Sequence, residues 1–280
     1  MERRKALSIL GATAIAAPLL RSNVALPDSH LLNPEDKNDL YIIHRKLRYS
    51  MGSEVVYWYL RAVRYGLFDS KFTPFWDMHV GFITIVEDEN DGFSAKTMSS
   101  IFYTDLKTGK LLESFNNPFT GKRVPVRQPG LRRSNTNYNK VGRKNARPSR
   151  PAMTMTQWGD IGPAWIVGDD IWIRGDTGFR AEPTTANGNL AHVNDWSTFH
   201  GSLAEVSNPA VLSANSTEAF NDVNTWPSWL EMSDQPGNYV SRGFGRKSWS
   251  MEGMPKEWSA IMKDQYPKEF SDPRTFIEGS

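Results

Sequence analysis

The sequence predicts an all-β, mainly antiparallel fold: a lipocalin-like β-barrel with short flanking helices, with a two-sheet β-sandwich as the alternative. Three observations point there. Strand-length segments with period-two alternation recur from "EVVYWYLRAVRYGLF" to "NYVSRGFGRKSW", and Gly, Pro, Asn and Asp turn signals separate them. No βαβ alternation or internal repeat interrupts the series. Long amphipathic strands in this number must stack or close, and closure removes the edges. A barrel of roughly eight strands can hold one small ligand.

The first segment, "MERRKALSILGATAIAAPLL", reads as a leader and is set apart from the fold. Arg3, Arg4 and Lys5 precede an uncharged run from Ala6 to Leu20, and a membrane-spanning helix needs about 20 apolar residues. The paired arginines suggest a twin-arginine-like signal, although Lys5-Ala6-Leu7 is a loose match. The expectation is a leader over 1–25, a single barrel domain over 26–280 and export to the periplasm. The membrane is met only through the leader during export. A disordered cytosolic leader and a retained anchor are the alternatives.

Taken in order, residues 44 to 127 are expected to form an antiparallel meander. Its parts are "EVVYWYLRAVRYGLF", whose two faces are both mixed, "DMHVGFITIVED", "SAKTMSSIFYTDL", the turn "DLKTGK", "LLESF", the turn "NPFTGK" and "RVPVRQ". Beyond the basic segment, "AWIVGDDIWIRGD" predicts a hairpin across Gly168-Asp169 and "NLAHVNDWSTFHGSL" a long strand. "SWLEMSDQPGNYVSRGFGRKSW" predicts a hairpin turning at Asp234-Gln235-Pro236-Gly237. Helices are few. Asn33 before Pro34-Glu35-Asp36 signals one near the mature amino terminus, and Pro255-Lys256-Glu257 opens another that ends before Tyr266-Pro267.

Composition excludes several chemistries. With 39% hydrophobic and 23% charged residues the chain is of soluble globular type. It has no cysteine, so thiol nucleophiles, thiolate zinc and cysteine-bound iron–sulfur clusters are ruled out. No HExxH, P-loop or G-x-S-x-G pattern occurs. His192 and His200 lie about 26 Å apart on an extended strand and cannot share a metal. No metal and no cofactor are expected.

Charge is uneven along the chain. No acidic residue lies between Glu113 and Asp160, whereas ten Lys and Arg do, which leaves −8 for the rest of a chain whose total is +2. The basic loop, placed at about 128–150, reads either as an electrostatic funnel for an anionic ligand or as a solvated loop. Nucleic acid is not an expected partner, because only Tyr138 lies among the charges from Arg132 to Arg150.

The stretch "NDWSTFHGS" carries the chemistry. As a strand it puts His192, Asn194, Trp196, Thr198, His200 and Ser202 on one face, and Ala191, Val193, Asp195, Ser197, Phe199, Gly201 and Leu203 on the other. The first face suggests a cavity wall, since a tryptophan there has polar neighbours on both sides. His200 is then a candidate acid or base, with a hydrogen-bonded structural histidine as the alternative. His79, Tyr59 and Arg61 complete the candidate catalytic set. Tyr57, Tyr103, Trp172, Arg174, Asn194, Trp196 and Thr198 are the candidate ligand-binding residues.

"KLRYSMGSEVVYWYLRAVRYGLF", "YTDLKTGKLLESFNNPFTGKRVPV", "NDWSTFHGSLAEVSNP" and "WPSWLEMSDQPGNYVSRGFGRKSWSMEGMPKEW" resemble, in that order, the exported bacterial and fungal family known as domain of unknown function 1838. The resemblance spans about residues 35 to 275. It implies an exported protein, often with a twin-arginine leader, and supplies no catalytic residues. Two function classes follow from the residues themselves. One is a cofactor-independent lyase, isomerase or decarboxylase working by acid/base chemistry on a small aromatic, hydrophobic or terpenoid-like molecule, with a carboxylate as the anionic group. The other is an exported carrier that binds such a molecule unchanged. The sequence specifies no oligomeric state.

Overall fold

A computed structural model describes residues 32–140, 142–143, 153–183, 190–232 and 235–279. The expected leader over 1–25 lies outside the described residues. The chain forms α1 (Lys37–Arg48), β1 (Val56–Phe68), β2 (Lys71–Glu89), β3 (Gly92–Thr104), β4 (Ser114–Asn116), β5 (Arg123–Pro125), β6 (Gly130–Asn139) and β7 (Gly142–Arg143). It continues through β8 (Met153–Gly159), β9 (Ala164–Val167), β10 (Asp170–Pro183), β11 (Ala191–Ser202), α2 (Leu203–Ser207), β12 (Thr217–Asn224) and β13 (Asn238–Ser248). Three helices end it: α3 (Lys256–Gln265), α4 (Pro267–Ser271) and α5 (Pro273–Glu278).

The fold is mostly antiparallel β, with a nearly closed ten-strand barrel-like sheet and a few short helices. The strand order is β7-β6-β3-β2-β1-β13-β12-β11-β10-β8, with β9 paired to β10. A bridge between Gly142 and Asp160 brings the two ends of this order together. Ten strands replace the eight expected, because β6 and β8 extend the sheet on its two sides.

Several elements depart from the sequence reading. His44 to Arg48 ends a helix instead of opening a meander: Asp36 caps α1, accepting from the backbone N–H of Asn38 at 2.8 Å and Asp39 at 3.2 Å. Ile43 and Leu47, four residues apart, then share its buried face. Strands β1 to β3 do form a meander, but β4 and β5 leave it as a separate two-stranded hairpin. Much of the expected basic loop is the strand β6, paired along β3, and residues 144–150 lie outside the described residues. Of the hairpin expected before β13, Asp234 of the turn lies outside the described residues, and in the first arm Ser228–Leu230 is a 3₁₀ turn that buries Leu230 in the core. The β9–β10 hairpin, the long strand β11 and the helix opened by Pro255 are found where the sequence puts them.

Packing explains why both faces of β1 are mixed. Val56, Trp58, Leu60 and Ala62 point into the barrel, while Tyr57 and Tyr59 pack outside it with Ile83, Met98 and Phe102 beneath α3. Trp258 of α3 is fully buried against Gly81, where an added Cβ would come within 2.6 Å of the indole. Its Nε1 donates to Ser100 Oγ at 2.8 Å. Inside, α1 contributes Ile43 and Leu47 to the barrel core, and Phe75 and Trp76 pack on Phe115 of the β4–β5 hairpin with ring centroids 4.9 and 4.8 Å apart.

Lys247 of β13 holds α1 in place. Its Nζ donates to the carbonyls of Lys46 at 2.7 Å and Tyr49 at 2.9 Å and to Ser213 Oγ at 3.1 Å. These are among the carbonyls that a helix leaves unsatisfied at its carboxyl end.

Candidate functional site

Alternation on each strand decides what enters the barrel. Register then aligns the inward residues into belts. One belt runs across six strands through Thr177, Asp195, Asp222, Ser241, Arg64 and Trp76. The belt beside it on one side carries Asn224 and Tyr239, and on the other side, beyond Ser197 and Phe220, lie Phe199 and Glu218. The interior is therefore aromatic in its walls and charged across its middle.

The charged groups are organised by hydrogen bonds. Arg64 Nη1 donates to both oxygens of Asp222, at 2.7 and 2.6 Å, and both side chains are buried. The Arg64 guanidinium lies over the Tyr239 ring, 4.5 Å from its centroid. Ser197 Oγ donates to Glu218 Oε1 at 2.6 Å. Arg48, the last residue of α1, extends its guanidinium over the rings of Phe199 and Tyr49, at 5.2 and 5.4 Å.

Electrostatics single out Asp195. Burial pushes its carboxyl up to about 7; the Asp222 charge directly opposite adds to this, while Arg64 and Arg48 pull the other way. Asp222 is already satisfied by Arg64, so Asp195 is the member of the pair that takes the proton. Two carboxylates facing each other away from water cannot both ionise freely. Burial also raises Glu218, against which Arg48 and the Ser197 hydrogen bond act. It raises the Tyr239 phenol well above its ordinary value, so Tyr239 is a neutral donor across the working pH range. A carboxyl group that exchanges its proton near neutrality is suited to general acid/base catalysis.

The same belts hold polar atoms without partners. Among the described residues, Ser241 Oγ, Asn224 Oδ1, Arg64 Nε and Trp76 Nε1 are buried and form no hydrogen bond. Each such atom costs about 1–3 kcal/mol. Their concentration around Asp195 and Asp222 marks this part of the interior as a site whose polarity folding alone does not require.

The residues selected from sequence are placed differently. The face of β11 bearing His192, Asn194, Trp196, Thr198 and His200 is the outer face, and the opposite face enters the core through Phe199. The expected cavity wall is thus formed by Val193, Asp195, Ser197 and Phe199. Packing of Phe199 against Trp58 in the core turns this face inward. Trp196 is 43% exposed. His200 stacks on Trp172 with centroids 4.8 Å apart, and its Nε2 is 2.8 Å from Asp170 Oδ1. Arg174 pairs on the outer face with Asp176.

His79, Tyr59 and Arg61 are brought together, but outside the barrel and beneath α3. Tyr59 OH and His79 Nδ1 are 2.7 Å apart, and Arg61 Nη2 donates to Asp77 Oδ2 at 2.6 Å. Burial lowers the His79 pKa, with Asp77 opposing, and pushes the Tyr59 phenol up to about 12. The neutral imidazole with its proton on Nε2 accepts at Nδ1 from the phenol, and with its proton on Nδ1 donates to it. His200, on β11, is separated from this group by β12 and β13, about 14 Å around the sheet at the usual strand spacing. Tyr57 packs outside with Tyr59. Tyr103 alone of the selected residues faces inward, its ring 5.3 Å from Trp76.

Sequence reasoning missed Asp195, Asp222, Arg64, Glu218 and Arg48. A signal for one was present: Arg64 continues the apolar series Val56, Trp58, Leu60, Ala62 at the same alternation, and a charge ending a buried face calls for a buried partner. Among the described residues, no group of three or more His, Asp or Glu side chains is arranged to hold a metal ion. Comparison with family models, with curated proteins and with solved structures finds no match to this chain.

Proposed function

We propose that the protein is a cofactor-independent enzyme of lyase, isomerase or decarboxylase type, using acid/base chemistry on a small aromatic or terpenoid-like molecule held inside the barrel. The observation that carries this reading is Asp195, an inward carboxyl poised at about 7 opposite the ion-paired Asp222. As a carboxylate, Asp195 removes a proton from an acidic carbon of the substrate. As an acid it returns that proton to a neighbouring carbon, which completes an isomerisation with no other reactant. The Tyr239 phenol donates a hydrogen bond to the oxygen on which charge develops. The aromatic wall holds the apolar part of the molecule.

A carrier for the same molecule is the competing reading, and one experiment separates them. The molecule that copurifies is identified by mass spectrometry of denatured protein and is returned to the protein in deuterated water. The enzyme reading expects protein-dependent deuterium at carbon, slowed about 10²-fold or more in Asp195→Asn. A carrier exchanges nothing. Export through the leader and membership of the domain of unknown function 1838 family stay part of this proposal on sequence grounds, and amino-terminal sequencing of secreted protein tests the export.

A further inference from the structure

Arg48 is a charged group in the barrel that the acid/base scheme does not use. Its guanidinium extends from the carboxyl end of α1 and lies 3.6 Å from the position a Cβ would occupy on Gly175 of β10. Phe199 flanks it on β11, and Tyr49 follows it in the chain. Among the described residues its five N–H donors form no hydrogen bond and no ion pair.

Glu218 and Asp195 attract it without forming a salt bridge to it. Glu218 is engaged by Ser197 and Asp222 by Arg64, and Asp195 is held protonated to about 7. The side chain nevertheless keeps part of its surface accessible. A guanidinium taken out of water is ordinarily paired, because an isolated buried charge is costly. Its planar fork matches a carboxylate held by two parallel hydrogen bonds. Phe199 and Tyr49, with Trp58 5.5 Å from Phe199, make the surroundings of the guanidinium aromatic.

We infer that Arg48 anchors the carboxylate of an aromatic monocarboxylic acid inside the barrel. The inference rests on the reading of the interior as the ligand site and names the class of molecule that enters it. Arg48 is an anchoring residue: it fixes the acid by its carboxylate while the far side of the molecule reaches the belt of Asp195 and Asp222.

Calorimetric titration of the full-length protein with benzoate, and with benzamide as its uncharged counterpart of nearly the same shape, tests this. The wild-type protein is expected to bind benzoate about tenfold or more tightly than benzamide. Arg48→Gln is expected to lose that preference while keeping its affinity for benzamide, and Arg48→Lys to retain part of it. A measurement on unaltered protein guards against misfolding of the variants: phenylglyoxal modification of Arg48, followed by peptide mapping, should be blocked by benzoate and not by benzamide. Equal affinity for the two ligands, or a carboxylate preference that survives in folded Arg48→Gln, overturns the inference. The readout is binding, so a wild-type protein without turnover would remove the enzyme reading and leave this one standing.

Discussion

Asp195 and Asp222 stand directly opposite each other on β11 and β12, both on the face that enters the barrel. Only Asp222 is matched by an arginine, Arg64, across its two oxygens. Burial, with the facing Asp222 charge adding to it, raises the Asp195 carboxyl to about 7. This shift determines how the protein responds to acid.

Asp195 holds its proton up to about 7 in the folded chain, whereas an unfolded aspartate titrates near 3.9. Its folded pKa is raised, so its contribution is fully present below pH 4 and is lost as pH rises through 7. The gap is worth roughly 4 kcal/mol at most. Asp195→Asn should therefore match the wild type in stability near pH 4 and exceed it by roughly 2–4 kcal/mol at pH 8. Urea unfolding across this range measures the difference, in which the shared contributions of Glu218, Asp222, Arg64, Arg48 and Lys247 largely cancel. Parallel curves for the two proteins would refute the raised pKa.

Arg64→Met leaves Asp222 buried beside Asp195 without its ion-pair partner. A loss of about 3–5 kcal/mol is expected. Adding Asp222→Leu removes the stranded carboxyl group and should restore most of the loss, giving a large non-additive coupling. Additive single-variant losses in chemical denaturation would show that the two side chains act independently.

His200 pairs with Asp170 on the outer face, and its side chain is 38% exposed. Exposed pairs contribute about 0.2–1 kcal/mol. His200→Gln should change stability within that range and leave the rate of deuterium exchange into the copurified molecule as in the wild type. A fall of 10²-fold or more at unchanged folding would move the reacting centre to the outer face.

Gly81→Ala directs a methyl group into the indole of Trp258, 2.6 Å away. Overpacking of this kind costs about 1–3 kcal/mol. The effect should be local to α3, with faster amide hydrogen exchange over residues 256–265 and little change in β10 to β12. Uniform acceleration across the sheet would mean that α3 and the barrel open as one unit.

The sequence by itself determined the class of fold and many of its elements. Alternation marks β1, β2, β3 and β11 as strands, Gly168-Asp169 turns β9 into β10, and Pro255 opens α3, because strand period, turn chemistry and capping act over a few neighbouring residues. Tertiary structure decided which face of each strand is inside. On β11 the His200 face and the Asp195 face are both mixed in character, so local pattern leaves the choice open. Burial of Phe199 against Trp58, and of Ile171 and Ile173 beside it, settles it. The candidate site was illegible for the same reason. Arg64, Asp195 and Asp222 are up to 158 residues apart in the chain, and they meet only because the register of β1, β13, β12 and β11 sets them side by side. The shifted acidity of Asp195 exists only in that arrangement, since desolvation and a facing carboxylate are properties of the closed barrel and not of the strand that carries it.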